Sequence, residues 1–192
     1  MTPETLVSIY FWRRLDNPGT DACRLYRSDE GWLLRGHAVF QEAGLACALR
    51  YEARTDPGWQ TIGARVRGYR GGEEIKLEIS RLSADQWLLN GEPAHLDALC
   101  DDIDLGFTPA TNQIALRRMS LAVGEQREVH SAWLNFPSRL DLQHLPQSYR
   151  RTGAETYDYQ SPTAGYGGEM RVLESGVVAV YPELFELVQN EP

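Results

Sequence analysis

The chain has 192 residues, enough for one domain that buries roughly 70% of its unfolded surface, and residues 1–192 are read as a single domain. Its 27 acidic and 19 basic side chains give a formal charge of −8, which argues against a nucleic-acid or anionic-membrane partner held mainly by bulk electrostatics and leaves room for local basic patches. The three cysteines, Cys23, Cys47 and Cys100, match neither a disulfide framework nor a zinc ligand set and are expected to be reduced.

Taken in order, the opening Met1-Thr2-Pro3-Glu4 lacks a basic leader region, and no run reaches the ~18 to 20 apolar residues of a membrane span. A cytoplasmic location without a membrane span is therefore expected. Leu6 to Trp12 is the first strand, and Asn17-Pro18-Gly19 turns the chain. Ala22 to Arg27, Trp32 to Phe40 and Leu45 to Arg54 follow as an antiparallel meander with hairpin-length connections. Ile62 to Tyr69 and Glu74 to Ile79 flank the turn Arg70-Gly71-Gly72, and Trp87-Leu88-Leu89 runs into the turn Asn90-Gly91. An acidic turn residue precedes Trp32, Trp59 and Trp87 at nearly equal intervals, each of which would hold one hairpin of a curling sheet.

The acidic run Asp101-Asp102-Ile103-Asp104 leads to Leu105 to Leu121, where polar groups concentrate. Read as a strand from Gln113 to Val123, this segment points its neighbours Arg117 and Arg118 to opposite faces, so one of them turns inward. A guanidinium on a mostly buried face needs a partner. Asp102 and Asp104, on one face at i,i+2, are the nearest candidates and are expected to form a structural ion-pair network with it. Arg127 to Phe136, Glu155 to Gln160, Met170 to Leu173 and Val177 to Val180 complete the strands. The one helix is expected at the C-terminus from Pro182, with Leu184, Leu187 and Val188 on its apolar stripe, docked on the concave side of the sheet.

Chemistry-bearing motifs are few. The four histidines, His37, His95, His130 and His144, are scattered, with no two spaced to share a metal, and neither a metal nor a cofactor is expected. No nucleophile elbow is present, and Gly165-Tyr166-Gly167-Gly168 lacks the Lys-Ser/Thr of a phosphate loop. Arg65, Arg67 and Arg70 alternate as one solvated strand face, and no nucleic-acid partner is expected. An enzyme would take Asp102 and Asp104 as its acid/base pair, although a carboxylate paired with a guanidinium suits anchoring better than proton transfer. The aromatic residues Trp87, Trp133, Tyr157 and Tyr159 could line a curled sheet and stack on sugars.

These residues carry a resemblance to a bacterial family of putative glycolipid-binding proteins. The matching stretches are Trp87 to Gly91, Leu96-Asp97, Asp102 to Leu105, Thr108-Pro109, Thr111-Asn112, Arg117-Arg118, Gln147 with Tyr149, Tyr157 with Tyr159, and Gly176 followed by Tyr181-Pro182. Ala115 stands where the family pattern usually has proline. The resemblance implies a mainly β fold, a strongly curved many-stranded antiparallel sheet (a spiral β-roll) wrapped around one α-helix. It also implies a homodimer and an architecture similar to the lipoprotein-localisation carriers. Together with the residues it points to a non-enzymatic binding protein for an amphipathic lipid or glycolipid. The head would sit near Asn112, Arg117 or Arg118, and Trp87, Trp133, Tyr157 and Tyr159 would line the site. An enzyme acting on such a lipid through Asp102 or Asp104, and a structural dimer without a ligand, are the alternatives.

Overall fold

The computed structural model describes residues 3–136 and 140–191, the last three of these by backbone only. Fifteen strands hydrogen-bond into one sheet. Its first arm is an antiparallel meander of β1 (Thr5–Arg14), β2 (Gly19–Ser28), β3 (Gly31–Glu42), β4 (Leu45–Thr55), β5 (Thr61–Arg70), β6 (Glu73–Arg81), β7 (Trp87–Leu89) and β8 (Glu92–Ala94). The second arm begins with β9 (Asp102–Leu105), the helix α1 (Asn112–Met119) and β10 (Gln126–Leu134). It continues through β11 (Leu142–Arg151), β12 (Thr156–Ser161), β13 (Tyr166–Val172), β14 (Val178–Tyr181) and β15 (Phe185–Glu191). Pairing of β15 with β1 joins the arms, so β8 and β9 are the sheet's edges.

Alternation decides the faces. Tyr10 and Trp12, then Asp21, Cys23 and Leu25, then Leu49, Tyr51 and Ala53 are buried in register, while Arg24, Arg35, Arg50 and Glu52 point outward. This period of two is what a sheet with one dry and one wet face requires. The sheet curls far enough to bring its β9 edge against the first arm. Ile103 N donates to Thr61 Oγ1 at 3.2 Å, Gln60 Nε2 to the Asp101 carbonyl at 2.7 Å, and Trp87 Nε1 to the Cys100 carbonyl at 3.3 Å. Edge groups that would otherwise template aggregation are met by side chains instead of a ladder.

Two expectations are overturned. The segment from Pro182 is not a helix: a turn closed by Leu184 N on the Tyr181 carbonyl leads into β15. An isolated helix of that length has little stability of its own, whereas β1 offers a free ladder. In the strand Phe185 is buried and Leu187 half-buried while Val188 is exposed, so the period of two replaces the expected stripe of Leu184, Leu187 and Val188. Conversely the segment from Gln113 to Val123, expected as a strand, is largely taken up by the helix Asn112–Met119. Strand β9 pairs with β10 in parallel, the one parallel pair among the described residues, and a parallel pair needs a crossover, usually helical. Thr108-Pro109-Ala110-Thr111 starts it with bonds from Asn112, Gln113 and Ile114 back to residues three earlier, and Ser120 ends it in the left-handed region. Helical and strand periods are hard to separate here because Asn112, Gln113, Ile114, Ala115, Leu116 and Met119 are all buried. No helix among the described residues is long and apolar enough to cross a membrane.

Candidate functional site

Helix α1 reaches strands far apart in the sheet order. Arg118 forms a bidentate pair with Asp102 on β9, Nε to Oδ1 at 2.9 Å and Nη2 to Oδ2 at 2.6 Å. The carboxylate is 1% exposed, whereas the arginine side chain is 21% exposed and also lies 3.8 Å from Asp101 at the surface. Burial pushes the Asp102 carboxyl up and the guanidinium opposes it, while Asp102 in turn raises Arg118. Arg117, one residue earlier, is exposed. It donates to the Glu174 carbonyl at 3.4 Å and lies 5.7 Å over Trp59. Neighbours on a helix diverge by about 100°, and here that separates a paired arginine from an exposed one.

Asp104 shares a face with Asp102 but meets no arginine. Gln147 Nε2 donates to its Oδ2 at 2.7 Å. The Gln147 Oε1 then accepts from Ser131 Oγ at 3.2 Å and from the Tyr149 phenol at 3.4 Å. Asn112 Nδ2 donates to that phenol at 3.1 Å. Tyr149 packs on Tyr159 at 4.8 Å between ring centres, and Tyr159 on Tyr181 at 5.5 Å. Burial drives the Asp104 carboxyl up to about 6 and holds all three phenols above their ordinary value. The result is a hydrogen-bonding nest of amide, phenol and carboxyl groups beside the apolar core.

Gln113, the second polar residue of α1, donates through Nε2 to the Ser175 carbonyl at 2.8 Å and to the Tyr10 phenol at 3.3 Å. Its Oε1 is buried with no hydrogen-bond partner among the described residues, whereas the buried Ser161 hydroxyl sits against the Tyr159 phenol and opposes the rise that burial imposes on it. An orphaned acceptor costs about 1 to 3 kcal/mol. Gly176 makes room for this end of the helix. Its φ is +81°, and a Cβ there would come within 2.7 Å of Arg117 Cδ.

The remaining predicted residues scatter. Trp87 is buried with its indole N–H on Cys100. Trp133 is partly buried against Gly106, where a Cβ would lie 2.6 Å from its Nε1. Tyr157 is buried beneath Arg151, 5.7 Å away. The structure thus joins Asn112 and Tyr159 through Tyr149, links Arg118 to Asp102, and leaves Trp87, Trp133 and Tyr157 apart from them. His130 Nδ1 and His144 Nε2 are 2.7 Å apart across the β10–β11 hairpin, correcting the expectation of scattered histidines. Among the described residues no three ligating side chains gather for a metal.

Sequence reasoning missed a second polar nest. Tyr51 donates to Asp21 Oδ2 at 2.8 Å, Thr108 Oγ1 donates to the same oxygen, and the two hydroxyls are 3.1 Å apart. Burial raises Asp21 to about 7, against the pull of those two bonds and of Arg14. Gly36 admits the Tyr51 ring, since a Cβ would stand 2.3 Å from its phenol end. A signal existed: Asp21 has the inward parity of Cys23 and Leu25.

A family described as "Putative glycolipid-binding" matches residues 9–186. The chain is similar to a crystal structure of a DUF1089-family protein from Pseudomonas aeruginosa, with 26% identity, a TM-score of 0.75, and coverage of 86% of this chain and 91% of that one. A β-barrel-like protein of the DUF1849 domain of unknown function from Brucella abortus shares the fold at a TM-score of 0.55 and 8% identity, covering 100% of this chain and 98% of that one. No curated protein matches. With nearly its whole length matched, the chain belongs to the putative glycolipid-binding family.

Proposed function

We propose that the protein binds an amphipathic lipid with a sugar-like head, without catalysis. The polar head is taken by Asn112, Gln113, Asp104 and the phenols of Tyr149 and Tyr159, and the chains lie between α1 and the sheet, against Ile114, Leu116 and Met119. The observation that carries this reading is Gln113 Oε1, a buried acceptor with no hydrogen-bond partner among the described residues, next along the helix from Asn112 and its bond to Tyr149. Neutral donors and acceptors suit hydroxyl-rich heads, because a site built to hydrogen-bond hydroxyl groups rejects analogues that lack them. Asp102 is held by a two-point guanidinium fork, which favours anchoring the helix over proton transfer.

The family description names a glycolipid, and this reading brings that ligand class to the chain. Entry requires α1 to move, since its apolar side chains are buried. The test is thermal unfolding with and without monogalactosyl diacylglycerol, alongside native mass spectrometry of the purified protein. Lipid at 100 times its dissociation constant should add about 2.7 kcal/mol of stability, and Asn112→Leu should remove most of that gain. No shift with this lipid, and no small molecule retained, would overturn the reading.

A further inference from the structure

The outer face of β3 to β6 carries three cross-strand rows. In one, Arg35, Glu52, Arg65 and Glu78 stand opposite each other in turn, so every cation faces an acid. Arg35 Nε meets Glu52 at 2.8 Å and Arg65 Nη2 meets Glu78 at 2.9 Å. The next row breaks that alternation: His37, Arg50, Arg67 and Lys76 are direct neighbours on four adjacent strands. Like charges placed opposite each other destabilise a sheet. Arg50 has only a contact of 3.6 Å to Glu52, and neither Arg67 nor Lys76 forms an ion pair among the described residues.

The row beyond is apolar where the cations end. Val39, Ala48 and Tyr69 are direct neighbours, with Val39 56% and Tyr69 48% exposed. Glu74, opposite Tyr69, is the acid of this row. A chain of charge −8 therefore presents a cationic row, two of whose members are unpaired among the described residues, beside exposed apolar side chains. Cations gain about 1 kcal/mol each near an anionic bilayer, and tyrosine favours the interface between water and lipid. Concave surface flanks Arg67 on both sides, one hollow lined by Arg50, Arg65 and Glu52 and the other by Lys76, Asn90 and Glu78, the two acids being those already paired with Arg35 and Arg65. The row spans four strands at about 4.8 Å spacing, long enough to meet more than one headgroup.

We propose that this outer face docks on a bilayer bearing anionic phospholipid heads, with Arg50, Arg67 and Lys76 against the phosphates and Val39 and Tyr69 at the interface. The face lies opposite the interior wall, so docking does not depend on whether the interior holds a lipid. The test is flotation with vesicles of phosphatidylcholine alone and of equal parts phosphatidylglycerol and phosphatidylcholine. Binding should be confined to the anionic vesicles and fall steeply as salt rises from about 0.05 to about 0.5 M. The double variant Arg67→Glu/Lys76→Glu should lose about 25-fold or more in partitioning, at roughly fivefold per cation. Its melting temperature should be unchanged or higher, because the like-charge row is relieved. Tyr69→Ser should weaken binding without altering its salt dependence. Arg171→Glu on β13, equal in charge change to Arg67→Glu alone, should leave binding within about twofold, where Arg67→Glu alone loses about fivefold.

Equal binding to both vesicle types, full binding by the double variant, or an equal loss with Arg171→Glu would overturn docking by this face. Preferential capture of RNA over vesicles would do the same. In each case the thermal shift with soluble glycolipid still reports separately on the interior, so failure of one reading is distinguishable from failure of the other.

Discussion

Asp21 on β2 and Asp102 on β9 are equally buried, each 1% exposed, yet the protein keeps them inside by opposite means. Asp102 has a guanidinium fork. Asp21 has two hydroxyls, from Tyr51 and Thr108, and its carboxyl is pushed up to about 7 by burial. Burial of a charge is tolerated when the charge is paired, and otherwise the group takes a proton. One region therefore holds a fixed ion pair that ties α1 to the sheet edge. The other holds a proton-binding group whose carboxyl keeps its proton up to about pH 7. Asp104, raised to about 6 with Gln147 as its donor, belongs with Asp21 although it stands two residues from Asp102.

The sharpest way to break this distinction is to remove the guanidinium. Arg118→Ala should cost about 3 to 5 kcal/mol in urea unfolding at neutral pH, because it strands a buried carboxylate. Arg117→Ala, which removes an exposed arginine, should cost about 1 kcal/mol or less. Equal losses from the two would mean that Asp102 does not depend on its partner.

A comparable effect comes from the carboxyls that burial raises, and its sign is opposite to that of an ordinary salt-bridged aspartate. Asp21 titrates near 3.8 when unfolded and about 7 when folded, so between those values the folded chain holds a proton that the unfolded chain has released. Its contribution is complete below the lower value and is lost as pH rises through the upper one. Asp104 acts in the same direction up to about 6. Stability should therefore decline from about pH 4 to about pH 7, and Asp21→Asn should flatten most of that decline and match or exceed the native chain at higher pH. Urea melts across the range measure it. An unchanged slope in Asp21→Asn would show that Asp21 is ionised throughout.

Much of the first arm was legible in the sequence because one physical rule decides it. From Leu6 to Ile79 the period of two, with turn residues between, places each strand within a few residues of its observed bounds. The tryptophan rhythm also has its counterpart, with Trp32 in β3, Trp59 just ahead of β5 and Trp87 opening β7. Trp32 and Trp59 stack at 4.7 Å, which holds Trp59 in the left-handed region at φ 67°. The two elements read wrongly are the ones that long-range pairing decides. Whether Phe185–Glu191 is strand depends on the free edge of β1, and whether Asn112–Met119 is helix depends on the parallel pairing of β9 with β10. Neither fact is present in a local window. The site was legible in part for the same reason. The Asp102 pairing with an arginine follows from the cost of an unpaired buried charge, Asn112 rests on the family resemblance, and how these residues group needed the strand order. Asp21 was overlooked because an acid at an inward position reads as a turn residue until Tyr51 and Thr108 are brought to it.

The smallest effect tests whether Asp104 truly sorts with Asp21. Its oxygen accepts one bond from Gln147, and an asparagine carbonyl can accept that bond equally well. Asp104→Asn should therefore change stability by less than about 1 kcal/mol near neutral pH, and in the stabilising direction, since it removes a group that must either lose its charge or remain buried with it. Asp104→Leu keeps the volume but leaves the Gln147 amide without an acceptor, at a cost of about 1 to 3 kcal/mol. The order Leu worse than Asn, with Asn near the native chain, is what a hydrogen-bonding acid predicts. A fixed charge predicts instead that Asn and Leu fail alike, as removal of the Asp102 partner does. If Asp104→Asn cost as much as Arg118→Ala, the nest around Tyr149 would be an ionic site, and a neutral, hydroxyl-rich head would be the wrong occupant for it.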